Sequence, residues 1–282
     1  MPNRRVAAAC TLACTLLTGC GGRVSNDGTD ATAPDAASDA SGTDAAPPPP
    51  PDFSCLGLNA PPPPTTPSAA LTFTVAEAST PDNGLAGVTV AAFDRTDLAE
   101  TLPLGTTVSD ATGAAMLAVP LGAAGWDGFL KLSGDAMAML RTTYAYRDKA
   151  VTADVDLGPV VIINETSLTV LEATAGATQD LAQGEVGMQL VDCAGAGVPE
   201  TTIALSVTGA STSIVYVRGG LPLAANPSSD GSGAMLIFNA PVGPLTVTFS
   251  APLAPGGAPQ TISTLAVDVR AGVFTTAAVT PD

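Results

Sequence analysis

The sequence contains no histidine, and this absence excludes several common kinds of active site. Histidine is the usual general base near neutral pH and the commonest metal ligand in proteins. Ser-His-Asp triads, histidine-bound zinc sites and iron sites with two histidines and a carboxylate therefore cannot be built from this chain. No pair among the 26 acidic residues stands out as catalytic or metal-binding. We expect no catalytic residue, no metal site and no cofactor.

Aromatic and basic residues are scarce as well. Aromatic residues make up 4% of the 282 residues, whereas hydrophobic residues as a whole make up 46%. A core built mainly from valine, alanine, leucine and threonine is typical of small β-domains. The 10 basic residues face 26 acidic residues, which gives a net charge of −16. Such a charge repels phosphate backbones, so we expect no nucleic-acid partner.

The apolar run Val6–Leu17 follows two arginines near the start of the chain. It is too short for a transmembrane helix, which needs about 20 residues, and it fits the apolar region of a signal peptide. The run ends in the letters LTGC, residues 17–20, which resemble the bacterial lipobox. The resemblance implies a signal peptide over 1–19, cleavage before Cys20 and lipid on that cysteine. The alternative is an ordinary signal peptide with a chance cysteine.

Lipid on Cys20 would make the membrane the first partner of the mature protein. Several acyl chains on one cysteine give lasting anchorage, whereas one chain holds only marginally. Gly21 follows the cysteine, where aspartate commonly retains such lipoproteins at the inner membrane. The resemblance therefore implies a location in the cell envelope, with the outer membrane favoured, at its periplasmic face or at the cell surface.

Residues 20–68 are rich in proline, alanine and aspartate, a composition that cannot bury enough apolar area to fold. Two proline runs within it favour extended polyproline II structure. We therefore predict a disordered stalk, interrupted by a small apolar island, FSCLGL at residues 53–58. An island of this kind is unexpected in a stalk unless it docks on another part of the protein.

Two cysteines, Cys55 and Cys193, remain after the signal peptide and Cys20 are accounted for. In an oxidising extracytoplasmic compartment, two remaining thiols most simply form a disulfide. The alternative is two buried free thiols.

The rest of the chain contains an internal repeat. Asp110-Ala111-Thr112-Gly113 precedes a short apolar segment and a Pro-x-Gly turn, and Asp230-Gly231-Ser232-Gly233 precedes a similar pair. Upstream, Gly87-Val88 matches Gly197-Val198. Because both order and spacing recur, we predict two copies of one structural unit.

Period-two alternation of apolar and polar residues predicts strands in both copies, as in LTFTV at 71–75 and LTVTF at 245–249. The predicted fold is all-β, with two tandem Greek-key β-sandwiches of about seven strands each. The boundaries are 69–163 for the first domain, 164–183 for a connector and 184–282 for the second domain. We also expect each domain to fold on its own.

The order of these motifs resembles the carboxypeptidase regulatory-like (transthyretin-like) domains, relatives of the Cna-B sandwiches. The resemblance covers most of 70–282, twice, and its motifs are turn signals rather than catalytic residues. It implies a fold and not an activity, because enzymes on related sandwiches need histidines that this chain lacks.

The connector contains the pattern of a short helix. Asn164 could cap its start, Leu168, Leu171 and Ala175 lie on one helical face, and Gly176 could end it. The β-branched residues in the segment argue against a helix. We predict a short connecting helix.

Arg141, Tyr144, Tyr146 and Arg147 form the one cluster of aromatic and basic residues in this acidic chain. Because such side chains are enriched at binding hot spots, we predict a binding role for them. Ordinary edge-strand residues are the alternative interpretation.

These observations favour a non-catalytic, lipid-anchored envelope protein whose two sandwiches bind an envelope protein, peptide or glycan, or have a structural role. Two alternatives remain open. One is a hydrolase acting through carboxylates or serines without histidine, and the other is an accessory subunit of an envelope complex.

Overall fold

The structure is a computed structural model that describes residues 49–58, 61–134 and 139–282. The predictions for the signal peptide, for lipid on Cys20 and for most of the stalk fall outside these residues. The described residues confirm an all-β fold, with 17 strands and one helix. No helix among the described residues is long and apolar enough to cross a membrane.

Among its described residues the first sandwich has nine strands: β1 (Ser68–Glu77), β2 (Thr80–Gly84), β3 (Thr89–Asp94), β4 (Gly105–Val108), β5 (Ala114–Pro120), β6 (Gly128–Ser133), β7 (Leu140–Arg141), β8 (Thr143–Tyr146) and β9 (Val155–Asn164). The helix α1 (Glu165–Ala175) follows it.

The second sandwich consists of eight strands: β10 (Gly184–Leu190), β11 (Thr202–Leu205), β12 (Ser213–Arg218), β13 (Leu221–Leu223), β14 (Ala234–Ala240), β15 (Gly243–Pro252), β16 (Pro259–Val269) and β17 (Phe274–Val279). Both strand counts exceed the predicted seven. The excess consists largely of short strands such as β7 and β13, which have two and three residues.

The repeat in the sequence is also a repeat in strand pairing. In the first sandwich β1 pairs antiparallel with β5 and parallel with β9. In the second sandwich β10 pairs in the same way with β14 and β17. The opposing sheets match too, because β3-β6-β8 and β11-β15-β16 are both antiparallel. The two units therefore share the pairing of these six strands, although β4 pairs with β3 in the first unit and β12 pairs with β14 in the second.

The two sandwiches are joined by a continuous sheet. Strand β17 of the second sandwich pairs in parallel with β8 of the first, so that Phe274 lies beside Thr143 and Thr276 beside Ala145. The resulting sheet has nine strands, in the order β13-β12-β14-β10-β17-β8-β6-β3-β4. Backbone hydrogen bonds therefore run without interruption from one unit into the other.

Strands β3 and β6 are apolar on both faces because both faces are covered. Val90 and Leu130 point into the core of the first sandwich, with Leu71 of β1. The neighbouring Phe93 and Phe129 point the other way, into a core formed mostly by the second sandwich. A strand buried on both faces loses the polar alternation of a half-exposed strand.

The Asp-x-x-Gly turns form as predicted, immediately before β5 and β14. The Oδ1 atom of Asp110 accepts from the Thr112 N–H at 2.8 Å, and that of Asp230 accepts from the Ser232 N–H at 2.9 Å. Gly113 and Gly233 have φ of 79° and 65°. A Cβ on Gly113 would lie 2.6 Å from the carbonyl oxygen of Val75, so this position requires glycine for space as well as for φ.

The predicted match of Gly87-Val88 with Gly197-Val198 is wrong by three positions. The N–H of Leu85 donates to the carbonyl of Val75 in β1, and the N–H of Val198 donates to the carbonyl of Leu190 in β10. The hydroxyls of Ser109 and Ser229 then donate to the carbonyls of Leu85 and Val198. Leu85 is therefore the counterpart of Val198.

The connecting helix is confirmed. The side chain of Asn164 accepts from the Ser167 N–H, and Gly176 ends the helix with φ of 69°. Leu168, Leu171 and Ala175 are buried, in a cluster that includes Phe238 and Phe274. Packing against strands of the shared sheet thus outweighs the weak helix preference of the β-branched residues.

Candidate functional site at the junction of the sandwiches

Four aromatic side chains mark the junction between the two units. Phe93, Phe129, Tyr144 and Tyr146 lie on one face of the shared sheet, on strands of the first sandwich, and are buried with residues of the second. The ring centroids of Phe129 and Tyr146 are 5.0 Å apart. Aromatic pairs at such distances add to the stability gained from burial. This cluster is therefore a structural contact between the units.

Strand β16 of the second sandwich is bonded to the same cluster. The N–H of Asp268 donates to the hydroxyl oxygen of Tyr146 at 3.1 Å. Arg95 lies 5.5 Å from the Tyr146 ring and donates to the carbonyl of Ala266 at 2.6 Å. Burial raises the pKa of Tyr146 to about 12. The phenol therefore remains neutral at ordinary pH.

Glu100 gathers the charged groups at this junction. It lies in the loop after β3 and has a φ of 53°. Its carboxylate contacts the Lys131 ammonium, the Tyr144 hydroxyl and the Arg270 guanidinium. Arg270 belongs to the second sandwich and lies 4.6 Å from the Tyr144 ring centroid. Loop and strand residues of both units are thus tied at one carboxylate.

Arg141 lies at a second polar contact, beside the connecting helix. Its Nε donates to Oε1 of Glu165 at 2.7 Å, and its Nη1 donates to Oε2 of Glu185 at 3.3 Å. Glu185 is on β10 and is almost completely buried. Burial raises its pKa to about 7, against the opposing effect of Arg141. Burial also raises the pKa of Glu172, which lies on α1 with Glu165.

Three of the four predicted binding residues are thus engaged within the protein. Arg141, Tyr144 and Tyr146 are buried and contact both units. The sequence placed them in one cluster, but Arg141 and the tyrosines serve separate contacts. Arg147 differs, because its side chain borders a cavity between β8, β9 and β17. A binding role for these residues stays a prediction.

The sequence interpretation did not identify Phe93, Phe129, Glu100 or Arg270 as members of the junction. A signal was present for the two phenylalanines. Each adjoins inward-facing apolar residues on a short strand, in AAF at 91–93 and GFL at 128–130. Apolar residues at adjacent positions indicate a strand covered on both faces. Nothing in the local sequence indicates the partners of Glu100 and Arg270.

Cys55 and Cys193 form a disulfide, with their Cα atoms 5.7 Å apart, so the pairing prediction is confirmed. The apolar island docks there. The N–H of Asp52 donates to Oδ2 of Asp192, and the N–H of Cys193 donates to the carbonyl of Asp52. Phe53 packs against the core shared with the second sandwich. The described part of the stalk is therefore ordered where this island binds.

Residues 192–195 form a third Asp-x-x-Gly turn that the sequence interpretation missed. Oδ1 of Asp192 accepts from the N–H groups of Ala194 and Ala196, both at 2.9 Å, and Gly195 has φ of 85°. This turn fixes Cys193 in place for the disulfide. Its Asp and Gly spacing was visible in the sequence.

The acidic residues of the described ranges serve mainly turns and ion pairs. No group of three or more histidine, cysteine or acidic residues with the geometry of a metal site is found in this part of the chain. The carboxylate of Asp94 accepts from Thr96, that of Asp97 from Thr101 and Leu102, and that of Asp156 from Gly158. Hydrogen bonds from these groups lower the pKa of Asp94 and Asp97.

Comparison with family models and with curated proteins finds no match for this chain. Among solved structures, a 9R-lipoxygenase from Cyanothece is similar at TM-score 0.26 and 16% identity, over 34% of this chain and 16% of that one. The Bacillus anthracis TIE protein is similar at TM-score 0.26 and 12% identity, over 76% of this chain and 34% of that one. A shaft pilin SpaA from Lactobacillus rhamnosus GG is similar at TM-score 0.26 and 12% identity, over 77% of this chain and 98% of that one.

This chain thus spans at most about a third of the first two of these proteins. Similarity at this level carries no activity, ligand or partner over to it. The class of protein is therefore defined by its own fold: two tandem β-sandwiches joined through one sheet and closed by a disulfide.

Proposed function

We propose that this chain is a non-catalytic, lipid-anchored protein of the cell envelope that holds two fused β-sandwiches away from the membrane. The observation that carries the proposal is the disulfide between the stalk island and the second sandwich. Disulfides form and persist in extracytoplasmic compartments and are rare in the reducing cytosol. The disulfide therefore supports export, which the signal peptide and lipobox independently predict.

The proposed domains are 69–163 and 184–282, each resembling a carboxypeptidase regulatory-like sandwich, with 164–183 as the connector. Their polar side chains support a structural or binding role. Most of the basic groups in the described residues pair with acidic groups of the same chain, across or near the junction. An extensively paired junction favours a rigid body that presents surfaces to an envelope protein, peptide or glycan.

The test of this proposal is the fate of the protein when Cys20 is changed. Cys20→Ala removes the sulfur that would carry the lipid, whereas Cys14→Ala removes a cysteine inside the apolar run and serves as the matched control. Both variants are expressed in a bacterial host, and membranes are separated from soluble fractions. Incorporation of a labelled fatty acid is measured in parallel.

We expect the wild type and Cys14→Ala to remain with membranes and to carry label. Cys20→Ala should carry no label and should leave the membrane fraction after salt washing. Equal labelling of all three proteins, or membrane association of Cys20→Ala equal to that of wild type, would contradict the lipid anchor.

A further inference from the structure

A cavity of about 270 Å³ lies beside the junction, between β9 and the paired strands β8 and β17. Its walls are mostly apolar and include Leu130, Val155, Leu157, Val160 and Ala277. An apolar protein cavity of about 150 Å³ is large enough to hold benzene. The cavity thus has room for a small organic molecule.

Two buried polar atoms belong to residues that line this cavity. Neither the Nε of Arg147 nor the Oγ1 of Thr276 has a hydrogen-bond partner within the described ranges. Thr276 is only 2% exposed. A buried polar group without a partner destabilises a protein by about 1–3 kcal/mol, and a charged group by more. An apolar cavity with a few polar groups on its wall has the character of a ligand site.

Arg147 is fixed in position by its backbone rather than by its side chain. Its N–H donates to the carbonyl of Gly128 at 3.1 Å, and its own carbonyl accepts from Nη2 of Arg95. Within the described ranges its guanidinium forms no ion pair, although the chain as a whole has a net charge of −16. Three other charged residues on the wall have partners within the chain: Asp148 accepts from Thr280, Asp156 accepts from Gly158 and Lys149 pairs with Asp282. The side chain of Arg147 therefore supplies an uncommitted positive charge at a mostly apolar wall.

We infer that this cavity binds a small amphiphilic carboxylate, a molecule with one carboxylate on an unbranched or compact apolar body. Arg147 donates from Nε to a carboxylate oxygen, and the Thr276 hydroxyl is a second donor on the same wall. Val155, Leu157 and Val160 contact the apolar body. Hydrogen bonds between charged groups are the stronger kind, and water exclusion by the apolar walls strengthens them further. This binding role is independent of the lipid anchor.

The experiment is a calorimetric titration of decanoate into the full chain at pH 8, where decanoate is ionised. Cys20→Ala is the background for every protein, so that no detergent competes for the cavity. Arg147→Gln removes the charge and keeps the backbone contacts. Arg218→Gln is the matched control, because Arg218 is exposed on β12 and is not part of the cavity wall.

We expect saturable binding of one decanoate per chain, weakened at least tenfold by Arg147→Gln and unchanged by Arg218→Gln. Thr276→Val should weaken binding by a smaller factor. Ala278→Leu, which fills the cavity from a partly exposed position, should abolish binding while the thermal unfolding midpoint stays near that of the parent protein. Decanol should bind the parent protein more weakly than decanoate does. Its affinity should be the same for the parent protein and for Arg147→Gln, because decanol has no charge.

Two results would overturn the inference. One is equal affinity of decanoate for Arg147→Gln and Arg218→Gln. The other is an absence of saturable binding at millimolar decanoate by a parent protein that circular dichroism shows to be folded. Because all variants share one background, failure of the lipid anchor would not alter this comparison.

Discussion

Glu200 in the second sandwich holds the backbone position that Gly87 holds in the first. The N–H of Gly87 donates to the carbonyl of Ser109, and the N–H of Glu200 donates to the carbonyl of Ser229, both at 3.0 Å. Both residues have positive φ, 76° for Gly87 and 56° for Glu200. For a residue with a side chain the left-handed region is unfavourable by roughly 1–2 kcal/mol. The second copy of the turn is therefore strained where the first is not.

Glu200→Gly should stabilise the protein by about 0.5–1 kcal/mol. The substitution relieves the strain, but glycine also has more freedom in the unfolded chain, which offsets part of the gain. Gly87→Ala should destabilise the protein, because a Cβ there meets no atom within 4 Å and adds only the strain of a positive φ. Urea unfolding at constant m-value measures both effects.

Gly231→Ala is the control for these two changes. Gly231 has no neighbour within 4 Å of an added Cβ, and its φ is not positive. A similar loss of stability from Gly231→Ala and Gly87→Ala would show that backbone strain is not the cause.

The sequence was sufficient for features set by local chemistry and insufficient for those set by distant partners. Asn164 and Gly176, the two ends of the helix, could be predicted because capping depends on a few neighbouring backbone groups. The disulfide followed from the cysteine count and the inferred compartment. Pairing of β17 with β8 joins segments more than 120 residues apart, and no local pattern encodes it.

The register error between the two repeats has a related cause. Identical letters at Gly87-Val88 and Gly197-Val198 suggested an alignment, yet the backbone partners make Leu85 the counterpart of Val198. Hydrogen bonds fix a position in the fold, whereas two small identical residues recur by chance. The cavity at Arg147 was similarly hidden, because its walls come from four strands, β6, β8, β9 and β17.

Met188→Ala should shift the unfolding of both sandwiches together. Met188 lies in the core of the second sandwich, and Trp126 lies in the core of the first. Because the shared sheet and the aromatic cluster join the units, we expect a loss of about 2–5 kcal/mol that Trp126 fluorescence and circular dichroism report at the same midpoint. This outcome would differ from the expectation from sequence that each unit folds on its own, and the same measurement tests both.

Met116→Ala is the matched control for that experiment, because Met116 is 66% exposed and should change stability little. A Met188→Ala protein whose circular dichroism shows two steps, with the Trp126 signal unshifted, would mean that the sandwiches unfold independently.

Glu185 should make the protein less stable at alkaline than at mildly acidic pH. Burial raises the pKa of Glu185 to about 7, above the ordinary value of 4.5. Between these values the folded state binds the proton more tightly than the unfolded state. The contribution of Glu185 protonation to the free energy of unfolding is therefore complete below about pH 4.5 and is lost as the pH rises through 7. Urea unfolding should show a decrease of about 1–3 kcal/mol from pH 5 to pH 8.

Glu185→Gln should remove most of this decrease, because the amide keeps the shape of the side chain and does not ionise. The exposed Glu200→Gln is the control and should leave the decrease in place. If Glu185→Gln retained the full pH dependence, another buried group, with Glu172 foremost, would have to account for it. Below pH 4 stability should fall for a separate reason, because hydrogen bonds lower the pKa of turn residues such as Asp110.

Loss of the Cys55–Cys193 disulfide should destabilise the whole folded body rather than the stalk island alone. The bond spans 138 residues and encloses the complete first sandwich. On the chain-entropy model a closed loop of this size contributes about 5 kcal/mol, chiefly by restricting the unfolded chain. Cys55→Ser/Cys193→Ser should therefore lower the thermal midpoint markedly and should match the wild type treated with reductant. The double variant should also be cleaved faster by protease near Asp52–Leu58. Without the disulfide this segment is held by the bonds of Asp52 to Asp192 and Cys193, by the bond from the Gly57 N–H to Asp282 and by the packing of Phe53. An unchanged midpoint after verified reduction of the wild type would mean that non-covalent contacts alone hold the two sandwiches and the island together.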